Sequence, residues 1–310
     1  MELRPLGTTG LTVSPICAGG SGLGSMPAVF GYDVPTEQAI EVVLRIFDSP
    51  ITWIDTSNGY SDGESERRIG AAIREYGGLP DGFLVATKVD ALGTDYSGAR
   101  VRASVAESKE RLGLDDLPLV YLHDPEFHDF GSMRDAVDTL MQLRADGEIG
   151  HVGLAGGNST ELARYLDLGG FEVVLVHNRW SLVDHSAGAL IQRALSDDLA
   201  VVNAAVYGGG ILANPQGATK YGYRDAPPAV LEAVAAMDAA CREHGLDLAT
   251  AALRHSVDHP GITGTVVGIT KPGRVDALLT ALSAELPPEL VEQLDALLPD
   301  PQYWLDLKQT

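Results

Sequence analysis

The chain has 310 residues, with 22 Lys and Arg against 43 Asp and Glu, which gives a formal charge of −21 and a pI near 4.6. That balance repels a phosphate backbone and an anionic membrane surface, so nucleic-acid and membrane-surface roles are excluded as first readings. The residues are 45% apolar and 21% charged, no stretch approaches the ~20 apolar residues of a membrane span, and the start carries no apolar leader, so a folded cytoplasmic protein is expected.

Residues 2–13 read as a small hairpin with Thr8-Thr9-Gly10 in its turn. From residue 16 onward, short β-branched runs alternate with helical patterns, as βα units on a parallel sheet do. The runs at 16–20, 52–55, 83–88, 119–123, 152–155, 173–176, 200–205 and 264–267 are apolar on both faces, as strands between two layers should be. In 36–49, Ile40, Val43, Leu44 and Phe47 fall at helical spacing. In 98–112, Val101, Val105 and Leu112 share a face, and Gly113 supplies the stop. In 133–146, Val137, Leu140 and Met141 form the stripe, and Ser132 with Asp135 resembles a capping box. In 228–244 the stripe is Val230, Val234, Met237 and Cys241, ended by Gly245.

Eight strand–helix units in about 250 residues predict one α/β domain over 1–310, a (β/α)8 TIM barrel with an N-terminal β-hairpin and a C-terminal extra helix and tail. An open doubly wound sheet is the weaker reading. Gly20-Ser21-Gly22-Leu23-Gly24 stops short of G-x-G-x-x-G at Ser25, and no Walker pattern occurs. Cys17 and Cys241 sit among apolar neighbours and are expected as buried free thiols. The connection 207–226, with Gly208-Gly209-Gly210 and Lys220-Tyr221-Gly222-Tyr223-Arg224, is long enough to suggest a binding loop.

Functional side chains of such a barrel gather at the C-terminal ends of its strands. Three neighbouring strands end there in Asp55, Lys88 and His123, and Tyr60 follows five residues after Asp55. Taken singly, Asp55 could cap a turn, Lys88 could snorkel, His123 could be a core histidine and Tyr60 loop packing. Taken together they form an acid–base set. Free tyrosine is only about 0.1% ionised at neutral pH. A nearby lysine ammonium is expected to lower that pKa, a carboxylate to hold the lysine charged, and a histidine to orient the reacting oxygen. The chemistry is proton transfer to or from a carbonyl or alcohol oxygen, coupled to a hydride carrier such as a nicotinamide.

These residues match a known pattern. The chain resembles the aldo-keto reductases almost from end to end. The resemblance lies in Arg4 to Ser14 as the barrel-closing hairpin, Trp53-Ile54-Asp55-Thr56-Ser57 with Tyr60, Gly63-Glu64-Ser65-Glu66 with Ile69-Gly70, Thr87-Lys88-Val89 and Leu122-His123-Asp124. It implies a catalytic set of Tyr60, Asp55, Lys88 and His123, with Trp53, Tyr60 and His123 at the substrate. It also implies an extended nicotinamide dinucleotide held by Gly20, Ser21, Asp55, Asn158, His177, Tyr207, Gly208, Gly209, Ile211, Thr270, Lys271 and Arg274, with Lys220 a further cation for it. Loop 26–32, Trp53, loop 207–226 and Tyr303-Trp304 are the expected pocket walls. His177 to Asp184, Asn203-Ala204-Ala205 and Gly209 to Ala213 look most like the branch of aldose 1-dehydrogenases of L-fucose, D-threo-aldose and galactose type and of pyridoxal 4-dehydrogenase.

Two departures stand out. Ala155-Gly156-Gly157 and then Asn158 replace the family's usual Ser-Asn pair for the nicotinamide amide, and His177 stands where glutamine is common. Gly268-Ile269 replaces the Lys-Ser of strong 2′-phosphate binders, which favours NAD over NADP, although Arg274 and Lys271 remain. The expected function is therefore an NAD(P)-dependent oxidation of a sugar hemiacetal. A general aldehyde/ketone reductase or pyridoxal-type dehydrogenase is the alternative within the class, and a non-catalytic nicotinamide-binding subunit or a two-carboxylate barrel hydrolase outside it. No metal is expected, because His123 and His128 lack a coordinating spacing.

Overall fold

The computed structural model describes residues 1–27, 31–222 and 224–306. Residues 28–30 of the expected pocket wall, Tyr223 and Lys308 lie outside the described residues. An antiparallel hairpin comes first, β1 (Arg4–Pro5) with β2 (Thr12–Val13). Eight parallel strands follow: β3 (Ile16–Gly19), β4 (Trp53–Asp55), β5 (Leu84–Val89), β6 (Leu119–His123), β7 (His151–Gly156), β8 (Val173–His177), β9 (Ala200–Ala204) and, late in the chain, β12 (Gly264–Gly268). They pair in sequence order, and β12 pairs with both β9 and β3, which closes the barrel. A second small hairpin, β10 (Lys220–Tyr221) and β11 (Arg224–Asp225), lies in the long connection after β9.

The period-2 alternation of each strand sorts its side chains into two cores. Outward residues such as Ile54, Val85, Val120, Leu122, Val152, Leu154, Val174 and Val176 join the helix ring in the larger core. Inward residues Cys17, Trp53, Leu84, Ala86, Leu119, Tyr121, Val173, Leu175, Ala200 and Val202 fill the barrel, together with Leu6 and Val13 of the first hairpin. The hairpin is tied to the N-terminal rim, where the Arg4 guanidinium donates to the carbonyls of Val257 and Ile262, each at 3.0 Å. Gly7 (φ +58) lies against the start of β9, because a Cβ there would crowd Ala200 and Asp198.

The helical ring comprises ten α-helices among the described residues. The first, α1 (Thr36–Phe47), buries Ala39, Val42, Val43, Ile46 and Phe47. Ile40 and Leu44 lie only at the margin of this stripe, since the buried face is centred one position away from the expected one. The capping box at Ser132 and Asp135 does not form. Helix α4 (Arg134–Ala145) starts without a side-chain cap, and Ser132 Oγ donates back to Asp129 O at 2.7 Å. The Asp135 carboxylate instead accepts from Gly98 N at 2.6 Å, at the start of α3 (Gly98–Leu112). Tertiary packing has moved this cap from its own helix to the neighbouring one.

The last helices are α9 (Gly273–Leu282) and α10 (Pro288–Ala296), followed by a tail that returns over the C-terminal rim. In that tail Leu305 N donates to Asp184 Oδ2 at 2.8 Å, and Asp306 accepts from Ser159 N at 2.8 Å and Arg179 Nε at 2.7 Å. Cys17 and Cys241 are buried free thiols. Among the described residues no helix is long and apolar enough to cross a membrane.

Candidate active site

The inward positions at the C-terminal ends of the strands differ sharply in kind. Asp55, His123 and His177 end β4, β6 and β8 and Lys88 is the last inward residue of β5, whereas Gly19, Ala155, Ala204 and Gly268 are the small counterparts on β3, β7, β9 and β12. The rim therefore carries titratable groups on one side and small residues on the other.

Asp55 and Lys88 are almost completely buried and lie on adjacent strands. Lys88 Nζ donates to Asp55 Oδ1 and to Thr56 O at 2.6 Å each, and to Tyr60 Oη at 3.3 Å. A buried ammonium with three acceptors stays charged. Burial alone would lower its pKa, but Asp55 and Tyr60 together outweigh burial and hold it above the usual lysine range. Asp55 is raised, mainly by burial, against the pull of Lys88.

The loop that carries Tyr60 is fixed by its own polar residues. Thr56 N and Asn58 N continue the parallel ladder onto Ala86 O and Lys88 O. Thr56 Oγ1 meets Ser65 Oγ at 2.8 Å, and Asn58 is held by Ser104 O, Glu107 and Arg100. Ser61, Asp62 and Gly63 then take positive φ values, which turn the chain sharply into α2 (Glu64–Tyr76). The hydroxyl of Tyr60 is thereby set between Lys88 and His123, whose ring lies edge-on to it with centroids 5.7 Å apart.

The electrostatics correct one expectation. Lys88 does favour the phenolate, but burial of the hydroxyl outweighs it, and the Tyr60 pKa is raised rather than lowered. Burial therefore favours the hydroxyl form of Tyr60, and the phenolate form relies on the Lys88 contact.

Asp90, two residues beyond Lys88, is not among the residues expected at the site. Its carboxylate accepts from His123 Nδ1 at 2.6 Å, from Gly59 N at 2.7 Å and from Ser57 Oγ. The Lys-x-Asp spacing, which puts both groups on one face of the strand end, was the available signal. Glu126 is likewise outside the expected set. It lies in the Pro125–Phe127 turn after β6, and its Oε1 accepts from Gly157 N. A Cβ at Gly156 would run into Glu126, and one at Gly157 into His177. The space left by the absent Ser-Asn side chains is thus taken by a carboxylate and an imidazole. His177 Nε2 lies 3.6 Å from Asp124 Oδ1.

Other expected site residues lie in different places. Trp53 is not at the rim. Its indole is fully buried in the lower layer, its Nε1 donates to Ser14 O at 2.9 Å, and Gly264 must be small to clear it. Two strand positions, about 6.6 Å, separate it from Asp55. Gly20 is buried against Asp55 O, with Ser21 opening the short turn behind it. Asn158 spends its side-chain oxygen on Glu161 N, as the N-cap of α5 (Ser159–Leu166). Lys220 forms an exposed 2.6 Å pair with Asp225 and does not reach the rim. Tyr207, Gly208, Gly209 and Ile211 form a tight turn after β9, in which Gly208, Gly209 and Gly210 all have positive φ. Burial pushes the Tyr207 hydroxyl up to about 12, opposed by the nearby Arg274. Thr270, Lys271 and Arg274 follow β12, with the two cations exposed. Arg274, Asn214, Gln216, Asp238 and Asp247 line a cleft of about 440 Å³.

Buried acceptors without hydrogen-bond partners show what the rim fits. Asp55 Oδ2, Glu126 Oε2 and Asn178 Oδ1 are all of this kind. Unpartnered buried acceptors are costly, so they mark a place for donor groups. Ribose hydroxyls and a carboxamide N–H are such donors. Asp124 and Asn178 also adopt left-handed backbone immediately after β6 and β8 (φ +46 and +60), strain of the sort found at binding sites.

The sequence model described as "Aldo/keto reductase family" matches residues 15–299. A D-threo-aldose 1-dehydrogenase of a Pseudomonas species is 27% identical, over 92% of this chain and 94% of that one. An L-galactose dehydrogenase of Arabidopsis thaliana is 29% identical, over 96% of this chain and 94% of its own. In three dimensions an aldo-keto reductase from Bacillus halodurans, in its holo form, superposes with a TM-score of 0.79 at 21% identity over 97% of both chains.

Proposed function

The chain belongs to the aldo/keto reductase family and is an NAD(P)-dependent oxidoreductase acting on a small molecule, and from that premise we propose that it oxidises a sugar hemiacetal to the lactone, with Tyr60, Lys88, Asp55 and His123 as the catalytic set. The observation that carries the reading is the contact of Lys88 Nζ with both Asp55 Oδ1 and Tyr60 Oη at the rim. The sugar class is supported by the named activities of the two relatives and by the surplus of buried acceptors, which suit a ligand rich in hydroxyls.

The bound nicotinamide would supply the hydride acceptor, or the donor in reverse. Gly20, Ser21, Asp55, Asn158, His177, Tyr207, Gly208, Gly209, Ile211, Thr270, Lys271 and Arg274 are its proposed contacts, with Glu126 added. NAD is favoured over NADP. Gly268-Ile269 offers neither the cation nor the hydroxyl of the Lys-Ser that strong 2′-phosphate binders carry. In the oxidative direction Tyr60 takes the hydroxyl proton while Lys88 stabilises the phenolate, and Asp55 keeps Lys88 charged and in place. His123 fixes the reacting oxygen beside Tyr60. The 310 residues act as one barrel domain in the cytoplasm, without nucleic acid.

Aldehyde reduction is the second reading, and the raised Tyr60 pKa favours it. A protonated Tyr60 is ready to give its proton to a developing alkoxide. Absorbance at 340 nm separates the two. Purified protein is mixed with NAD or NADP and a panel of aldoses, or with the reduced cofactors and aldehydes. Reduction of NAD by an aldose is the expected result. Turnover confined to aldehydes would replace it with the second reading, and no turnover or cofactor binding with any pair would overturn both.

A further inference from the structure

The rim holds a second acid–base pair beside Tyr60 and Lys88. Asp90 stands directly after β5, with its backbone pinned on both sides: Ser104 Oγ meets its N at 3.2 Å, and Arg100 Nε donates to its O at 3.1 Å. Its Oδ1 lies 2.6 Å from His123 Nδ1, while its other oxygen holds Ser57 Oγ and Gly59 N, the residue before Tyr60. Glycine is required at 59, because a Cβ there would crowd the Asp90 carboxylate. A carboxylate accepts and cannot donate, so the proton of this short contact belongs to Nδ1.

We propose that Asp90 is a positioning residue for His123: by holding the proton on Nδ1 it presents Nε2 to the substrate as an acceptor while the ring is neutral, and as a donor only when the ring is charged. A neutral ring then has no Nε2 proton to place on the reacting oxygen. A charged ring has one, and it can polarise a carbonyl that Tyr60 protonates. The charge of His123 thus bears chiefly on carbonyl reduction. This inference rests on the oxidoreductase reading above.

All charged groups around the ring bear on the crossover. Asp90 on one side and Asp124 after β6, 3.8 Å from Nε2, favour the cation, while Lys88 on β5 opposes it. Asp55 on β4 also faces His123, and the Tyr60 ring packs against its edge. Burial would lower the pKa of His123, but the two flanking aspartates outweigh burial and raise it. The Asp90 carboxyl moves the opposite way, below its usual range. The sign follows: the ring stays charged to a higher pH than a free histidine, and removing Asp90 lowers that crossover.

The test is nitrogen-15 NMR of histidine-labelled protein, with the His123 signals assigned by their loss in His123→Asn. In the unaltered protein, above the crossover, Nδ1 must carry the proton. A neutral ring protonated on Nε2 overturns the proposal without any variant at position 90. In Asp90→Asn the crossover should move down by about one unit, which corresponds to about a tenfold fall in the ratio of charged to neutral ring at the original midpoint. The kcat/KM for aldehyde reduction should lose its fall with pH at the original crossover and show it at the lower one. An unchanged crossover overturns the proposal. A protein that turns over no substrate would sink the oxidoreductase reading while leaving the NMR result to stand or fall alone.

Discussion

The two ends of the barrel interior are built from the same strands and do opposite work. At the lower end the inward side chains are Trp53, Leu84, Leu119 and Val173, sealed by Leu6 and Val13. Two to four residues further along the same strands, the inward side chains are Asp55, Lys88, His123 and His177. The lower layer is apolar and has no orphaned charge, so it can be closed by packing alone. The upper layer keeps buried ions and unpartnered acceptors, which packing cannot satisfy. The difference teaches that the site is not a hole in the core but a change of side-chain chemistry along continuous strands, with a rigid apolar floor beneath it.

The largest expected effect is at the upper end. Lys88→Met should lower kcat/KM by about 10²–10⁴-fold, and it leaves Asp55 buried without its cation, which costs about 3–5 kcal/mol of stability. Adding Asp55→Leu should restore most of the stability and none of the activity. Denaturant unfolding and steady-state rates read the two quantities separately, and activity returning with stability would break the comparison. Next comes the floor. Trp53→Ala should cost about 3–5 kcal/mol in unfolding while leaving kcat/KM of the folded enzyme within about threefold. A selective rise in KM instead would return Trp53 to the substrate wall. Smaller still is Gly264→Ala, where a Cβ meets the Trp53 indole; about 1–3 kcal/mol of overpacking is expected, again with unchanged kinetics.

Much of this division was legible in the sequence. All eight barrel strands were readable from β-branched runs, because buried parallel strands need no polar face. The ends shifted by a residue or two, since pairing with a neighbour decides where β5 and β7 stop. That Asp55, Lys88 and His123 share one rim was legible because titratable groups are out of place near the ends of apolar runs, and Tyr60 because it follows Asp55 in the next loop. Trp53 was assigned to the wrong end, because sequence distance from Asp55 does not distinguish the two layers of one strand. Asp90 and Glu126 lay in connections, where an acidic residue is unremarkable until the fold sets it beside His123 or the Gly156-Gly157 pair. The raised Tyr60 pKa was also hidden, because a nearby lysine can be read from the sequence and the depth of burial cannot.

The most direct measurement is of Tyr60→Phe, which removes one oxygen and keeps the ring. The account predicts cofactor affinity within about threefold, stability within about 1 kcal/mol and turnover reduced by about 10²–10⁴-fold. Turnover near that of the unaltered protein would contradict it, because the proton would then pass through another group.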